Sequence, residues 1–240
     1  MQPNVMENPI IVPESLERET VDVANILLKT RAIGFWNGQE PYTFTSGMKS
    51  PIYCDLRKVF SYPGLREQLY YHLAGMAKRH VPTFNVIAGV ATGSLPTASR
   101  LATLFEKPLY YCRPSQKGHG KRNKVEGATE HLKGQNVLVV EDLISTGGSC
   151  LSAAADLRAA GASVEAVLGV FSYQFPEAQE AFRCKGVKGR VLLDYPLLIG
   201  MPGVQRYLPE GSRDVLESWH KDPWNWNPEN TLSNPKNARR

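Results

Sequence analysis

The architecture of this chain can be read from one segment, Asn136-Val137-Leu138-Val139-Val140-Glu141-Asp142-Leu143-Ile144-Ser145-Thr146-Gly147-Gly148-Ser149. Its four consecutive aliphatic residues, 137–140, are typical of a strand buried on both faces within a parallel sheet. Two carboxylates and a small, hydroxyl-rich loop follow, and a helix is predicted to begin near Cys150. Because ligands of open α/β sheets bind outside the carboxyl ends of strands, the segment predicts a binding site at this loop.

The residue types of the loop 145–149, here called the phosphate loop, suit a phosphate group. Its glycines allow close backbone approach, its hydroxyl side chains are donors, and the following helix directs free N–H groups and a positive dipole end at the same point. Glu141 and Asp142 would repel phosphate, so we expect them to bind sugar hydroxyls or a hydrated Mg²⁺. The alternative is an ordinary buried strand, a surface acid pair and a helix capped by Ser149.

The order of these features resembles the phosphoribosyl diphosphate (PRPP) signature of type I phosphoribosyltransferases. A Walker phosphate-binding loop would instead need a lysine after its glycines, where this chain has Cys150 and Leu151. The resemblance implies PRPP contacts from Glu141, Asp142, Leu143, Ile144, Ser145, Thr146, Gly147, Gly148 and Ser149.

Length and composition indicate one soluble globular domain over residues 1–240. The chain has 42% hydrophobic and 21% charged residues, which is enough to bury a full core. No apolar run approaches the about 20 residues that a membrane span requires, and no signal peptide is apparent. The four cysteines are scattered without CxxC spacing, which favours a reducing, cytoplasmic location over a disulfide framework or a zinc site.

The net charge of +5 favours an anionic partner. The basic residues are dispersed except at 117–124, where glycine rather than aromatic residues separates them. A small polyanionic substrate therefore explains the charge better than a nucleic acid does.

The segment 42–57 predicts two short strands around a Ser-Gly turn. An ordinary hairpin is the alternative interpretation. The segment resembles the N-terminal hood of orotate phosphoribosyltransferases, which covers the pyrimidine, and we call residues 20–60 the hood. Many members of that family have a lysine where this chain has Thr45. The resemblance implies orotate contacts from Thr45, Ser46, Gly47, Tyr53 and Ser145, with the Tyr53 ring against the base.

Two further segments place loops at the ends of predicted strands. Residues 86–96 form a strand and a glycine-containing loop, which resembles the loop that holds the diphosphate of PRPP. Residues 109–113 form a strand that runs into the polar segment 114–127, either a solvated loop or a lid. The lid resembles the catalytic loop of orotate phosphoribosyltransferases, although Pro114 stands where relatives commonly have a basic residue. The resemblance implies catalytic and PRPP-binding roles for Arg113, Lys117 and His119.

The remaining pattern completes an α/β chain. A helix is predicted over 20–33, a helix starting with Pro63 in its first turn, a strand over 164–173, a helix from 177, and an edge strand over 191–195. Residues 221–240 are expected to be an irregular tail, anchored by tryptophans. Some relatives place an arginine just beyond the 164–173 strand to hold the orotate carboxylate. This chain has none there, so backbone N–H groups and Ser145 are expected to bind it.

These features predict an α/β fold of the type I phosphoribosyltransferase class, in which helices flank a central parallel sheet that carries a small N-terminal hood. The resemblance implies conversion of orotate and PRPP to orotidine 5′-phosphate and diphosphate in pyrimidine (UMP) biosynthesis. It also implies a homodimer, and Mg²⁺ held mainly by PRPP and water without a direct protein ligand. A transferase for another base, such as a purine, would lack the Ser-Gly…Ser-Pro-x-Tyr hood segment. A PRPP-sensing regulator or RNA-binding protein would be expected to have lost the acid pair or to show a separate basic face.

Overall fold

The computed structural model describes residues 8–12, 18–81, 83–113 and 124–229. The strands are β1 (Ile10–Ile11), β2 (Ile33–Phe35), β3 (Tyr42–Thr43), β4 (Lys49–Ser50), β5 (Ile52–Cys54), β6 (Val86–Val90), β7 (Leu109–Cys112), β8 (Val125–Glu126), β9 (Asn136–Val140), β10 (Leu143–Ile144), β11 (Ser163–Ser172) and β12 (Lys188–Asp194). The α-helices are α1 (Arg18–Lys29), α2 (Pro63–His80), α3 (Leu95–Phe105), α4 (Gly148–Ala159), α5 (Pro176–Lys185), α6 (Tyr195–Gly200) and α7 (Ser212–Lys221). Short 3₁₀ helices span Leu56–Ser61, Thr129–His131 and Pro202–Tyr207.

The central sheet has the order β1-β12-β11-β9-β6-β7-β8, and β10 pairs with β11 beyond the end of β9. Its pairs are parallel except β7–β8. The four aliphatic residues of β9 lie at the centre and are fully buried or nearly so. The α/β architecture predicted from this run is confirmed.

Helices cover both faces of the sheet, which explains why β9 has no polar face. Leu138 and Val140 belong to a buried cluster with residues of α1, α2 and α3. Val137 and Val139 belong to a second cluster with residues of α4 and α5. Alternate residues of a strand point to opposite faces, so these clusters are the two layers of the core.

The hood consists of α1 and two small antiparallel sheets, β2–β5 and β3–β4. The strands predicted around the Ser-Gly turn are present. The helix predicted over 20–33 was too long, because α1 ends at Lys29 and Ile33 begins β2. Arg31 adopts a φ of +54°, and the Ala32 N–H donates to Leu27 O at 2.9 Å, a closure that ends the helix.

One prediction at an edge of the sheet needs correction. The strand predicted as an edge over 191–195 begins at Lys188 and is covered by β1, whose two residues are too few to give a periodic signal. In the segment 114–127, predicted to be a solvated loop or a lid, Val125 and Glu126 form β8 against β7, whereas residues 114–123 lie outside the described residues. The predicted Pro63 at the start of α2 is confirmed.

The predicted anchoring of the C-terminal segment by tryptophans holds for two of the three. Trp219 is fully buried, and Trp226 packs edge-on against Trp36 with ring centroids 5.5 Å apart. Trp224 is 51% exposed, although its Nε1 donates to Glu177 at 2.8 Å. Residues 230–240 of the predicted tail lie outside the described residues. Within the described ranges, no helix has the length and apolar character needed to cross a bilayer.

Candidate active site

The acid pair is held at the end of β9 by hydrogen bonds to β11. The Glu141 N–H donates to Leu168 O at 2.9 Å, and Asp142 O accepts from Val170 N at 3.1 Å. These bonds continue the sheet pairing past Val140 and lead the chain into β10. Both carboxylates therefore lie at the carboxyl edge of the sheet, directly before the phosphate loop.

The phosphate loop turns into α4 at Gly147, which has a φ of +80°. A Cβ at this position would lie 2.8 Å from Cε2 of Phe182, so both the backbone conformation and the space require glycine. Gly147 occupies the N-cap position of α4, and no side chain forms a capping hydrogen bond to this end of the helix. The alternative interpretation of Ser149 as the helix cap is therefore wrong.

A cavity of about 200 Å³ separates the phosphate loop from the turn of the hood, residues 44–48. Thr45 and Ser46 belong to one wall, and Ser145 and its neighbours to the other. The residues that line it are Phe44, Thr45, Ser46, Met48, Glu141, Leu143, Ser145, Thr146, Gly147, Gly148, Ser149, Cys150 and Phe175. The structure thus brings together most of the residues assigned from sequence to PRPP and to orotate.

Two of the residues assigned to orotate are not cavity-lining. The Gly47 N–H donates to Phe44 O at 2.8 Å, which closes the hood turn. Tyr53 stacks on Tyr42, with ring centroids 5.5 Å apart and an interplanar angle of 24°. It therefore packs against the hairpin, and it is not among the residues that line the cavity.

Glu141 and Asp142 differ in environment. Glu141 is only 6% exposed, and burial, followed by the neighbouring Asp142 charge, raises the pKa of its carboxyl well above the usual range. Its Oε1 accepts from the Asp142 N–H at 3.1 Å. Oδ1 of Asp142 accepts from Leu143 N at 2.8 Å, and Oδ2 lies against Gly93. The predicted diphosphate loop, 91–94, is thereby placed beside the acid pair.

Of the three residues assigned to the catalytic loop, Arg113 is described, whereas Lys117 and His119 lie outside the described residues. Arg113 is exposed at the end of β7, and its backbone N–H donates to Lys124 O at 2.9 Å. Its Nε lies 3.2 Å from Oε1 of Glu126. Arg113 does not line the cavity in this conformation.

Aromatic and apolar cavity residues were missed by the sequence analysis. Phe44 belongs to the hood turn, and Phe175 follows β11 at the same sheet edge as the acid pair. Phe175 could have been identified, because ligands bind beyond the carboxyl ends of strands and Phe175 lies just beyond the end of β11. The same rule predicted the position of the phosphate loop. Phe44 directly precedes Thr45, which was assigned to orotate, but the alternation of a short strand does not show which of these side chains faces the cavity.

The thiol of Cys150 also lines the cavity, where it is 1% exposed and donates to Gly147 O at 3.3 Å. Burial raises its pKa, so the thiol is protonated and unreactive rather than nucleophilic. All four cysteines are free, in agreement with the prediction that none forms a disulfide.

The chain is similar in sequence and fold to proteins that are already known. Residues 66–178 match the phosphoribosyl transferase domain family. The curated orotate phosphoribosyltransferase of Coxiella burnetii is 38% identical over 210 residues, which are 88% of this chain and 99% of that protein. That of Enterococcus faecalis is 41% identical over 204 residues, 85% of this chain and 96% of that protein. The crystal structure of orotate phosphoribosyltransferase from Aeropyrum pernix superposes with a TM-score of 0.66 at 29% identity, over 74% of this chain and 96% of that one.

Proposed function

The chain belongs to the orotate phosphoribosyltransferase family, and we propose that it transfers the 5-phosphoribosyl group of PRPP to orotate. The products are orotidine 5′-phosphate and diphosphate, and the reaction is a step of pyrimidine biosynthesis. The observation that carries the proposal is the single cavity between the hood turn and the phosphate loop, because it gives a base and a sugar phosphate adjoining positions.

The phosphate loop binds the 5′-phosphate. Its hydroxyl groups and the free N–H groups at the start of α4 are donors, and the positive end of the helix dipole favours the negative charge. Glu141 and Asp142 accept hydrogen bonds from the ribose hydroxyls. These contacts fix the position of C1 of the ribose relative to the hood.

The base lies under the hood turn, against Phe44 and Phe175. Hydroxyl and backbone N–H groups of Thr45, Ser46 and Ser145 bind its polar edge, including the carboxylate. The Tyr53 ring does not stack on the base; it stabilises the hairpin by stacking on Tyr42.

In the reaction the C1–O bond to diphosphate breaks and the C1–N1 bond to the pyrimidine forms, while the proton of N1 passes to the departing diphosphate or to water. Diphosphate leaves with the bonding electron pair, and positive charge develops at C1 and the ring oxygen. No protein nucleophile is required, so the protein accelerates the reaction by positioning and by stabilising charge. Arg113, Lys117 and His119 neutralise the leaving diphosphate, together with the 91–94 loop.

The reaction is proposed to need Mg²⁺. Carboxylate and phosphate oxygens are the donors this ion prefers, and it is commonly bound by one or two carboxylates together with substrate phosphates and water. PRPP and water would supply most of these oxygens, and Asp142, whose Oδ2 lies beside the diphosphate loop, would contact the ion through its bound water. When bound, the ion neutralises charge on the diphosphate.

The proposal includes a cytoplasmic homodimer. Sedimentation equilibrium would then give twice the 26.7 kDa of the chain. A monomer that turns over at full rate would refute the dimer and leave the reaction intact.

The decisive experiment follows the ultraviolet absorbance of orotate after mixing with protein, PRPP and Mg²⁺. We expect a decrease that requires all three components. PRPP binding by calorimetry without a decrease would favour another base or a regulator of PRPP. Absence of binding by either substrate would refute the assignment of the phosphate loop.

A further inference from the structure

Trp219 of α7 reaches the hood from the opposite end of the chain. The side chain is fully buried, and its Nε1 donates to Lys49 O at 2.9 Å. Lys49 belongs to β4, the returning strand of the hairpin that carries the hood turn. The Trp219 side chain therefore connects α7 to the backbone next to the base-binding turn.

The Trp219 ring also contacts both aromatic residues that line the cavity. The centroid of Phe175 lies 5.7 Å away at an interplanar angle of 72°, and that of Phe44 lies 6.4 Å away at 77°. Both are edge-to-face arrangements, the preferred geometry of aromatic pairs. Trp219 thus packs behind two cavity residues that come from different parts of the chain.

The hairpin needs such support because β3 and β4 have two residues each. A two-stranded hairpin of this length is not stable by itself in water. Other contacts hold the neighbouring parts of the hood: the Cys54 N–H donates to the Tyr173 hydroxyl at 3.1 Å, and Trp226 packs on Trp36.

The phosphate loop is held by different residues. Its conformation depends on the pairing of the acid-pair segment with β11 and on the fit of Gly147 against Phe182. Among the described contacts of Trp219, none involves residues 145–149. Trp219 therefore contacts the hood half of the cavity directly, and the phosphate loop only through Tyr173, whose ring lies 5.9 Å from it and whose N–H donates to Ile144 O at 3.1 Å.

We propose that Trp219 is a positioning residue for the base: it sets the hood turn, Phe44 and Phe175 at the separation that binds orotate, and leaves the PRPP half of the site unaffected. This inference rests on the proposed function. It assigns α7, which contributes no residue to the cavity lining, a role in the choice and alignment of the base.

The test is Trp219→Phe, which removes the N–H donor and part of the ring. We expect the KM for orotate to rise about five- to tenfold, from the loss of one hydrogen bond and some packing, with the KM for PRPP within about twofold of wild type. Calorimetry should show the same selectivity in the dissociation constants. The matched control is Trp224→Phe, which removes an indole N–H that bonds to Glu177 on α5 from a ring that is 51% exposed, and should change neither KM.

If Trp219→Phe does not fold, Tyr195→Phe gives an independent test. It keeps the ring and removes the hydroxyl group, which donates a hydrogen bond to Leu216 O at 2.8 Å. This hydrogen bond connects the start of α6 to α7. We expect the same selective rise in the KM for orotate, at smaller size. Equal changes in both KM values, or no change, would overturn the inference. A wild-type protein that does not consume orotate would instead refute the proposed function.

Discussion

Gly93 and Asp142 are in contact across the carboxyl edge of the sheet, and a Cβ on Gly93 would overlap the Asp142 carboxylate. The two residues belong to different strand–loop units, after β6 and after β9. Their contact joins the loop assigned to diphosphate to the acid pair assigned to ribose, so we expect the two halves of PRPP to be bound in a fixed relation.

Gly93→Ala should therefore damage catalysis more than stability. The added methyl group pushes away the Asp142 side chain, whose Oδ1 is held by Leu143 N. We expect kcat/KM for PRPP to fall about 10- to 100-fold, as for the loss of a hydrogen bond to a charged group. Initial rates at varied PRPP measure this. The control is Gly64→Ala, where an added Cβ meets nothing within 4 Å; equal rates for the two variants would contradict the prediction.

Gly147→Ala should destabilise the fold. The methyl group meets Phe182, and alanine is strained at the φ of +80°, so we expect a loss of about 3 kcal/mol in the free energy of unfolding. Gly186→Ala separates the two causes, because Gly186 has a φ of +58° with nothing within 4 Å of an added Cβ. That control should lose only about 1 kcal/mol. Urea unfolding measures both, and similar losses would show that the contact with Phe182 is unimportant.

Glu141→Gln should make the protein more stable at neutral and alkaline pH. The buried carboxyl has a pKa raised well above its ordinary 4.5, so the folded protein holds this proton more tightly than the unfolded chain does. The stabilisation that this proton gives the folded state is fully present below the pKa of Glu141 in the unfolded chain. It is lost as the pH rises through the pKa of Glu141 in the folded protein. The free energy of unfolding, measured from about pH 4 to about pH 8, should become larger for the variant than for wild type as the pH rises. Parallel curves would mean that Glu141 ionises freely in the folded protein.

Lys117→Ala tests the catalytic loop. If Lys117 neutralises the leaving diphosphate, kcat should fall by about 100-fold or more while the dissociation constant of PRPP changes much less. Lys124→Ala is a suitable control, since Lys124 Nζ bonds to Asp156 at 3.1 Å on α4. It should retain nearly full kcat. An unchanged kcat in Lys117→Ala would remove the catalytic role assigned to this loop.

Chelation should stop turnover and leave the fold intact. We expect EDTA to abolish orotate consumption and Mg²⁺ to restore it, because the ion acts on the diphosphate rather than on the core. Among the described residues, no group of three or more His, Cys, Asp or Glu is placed to hold a structural metal. Circular dichroism melting should therefore be the same with and without EDTA; a lower melting temperature would point to a structural ion.

The core of this fold and half of the site could be predicted from local pattern. The run 137–140, the acid pair and the glycine loop are consecutive in sequence, and their chemistry depends on neighbours only a few residues away. The hood turn was predictable for the same reason. Each of these features is a short segment whose backbone conformation follows from its own residue types.

The rest depends on contacts between distant residues. Tyr53 was expected against the base, but Tyr42 offers it a stacking partner within the hood. Ile33 continues the helical spacing of α1, yet pairs with Cys54 in a sheet instead. Trp219 bonds to a backbone carbonyl 170 residues earlier. Periodicity shows which residues are apolar, but it does not show which surface they will meet.

The pairing of Ile10 and Ile11 with Gly189 and Arg190 has a consequence for how copies of this protein meet one another. Without β1, the seven-residue strand β12 would present an unpaired row of N–H and C=O groups, a template for edge-to-edge self-association. Neither β1 residue lines the active-site cavity. Removing residues 8–12 would therefore lower the yield of dispersed protein before it lowered the specific activity of the molecules that remain.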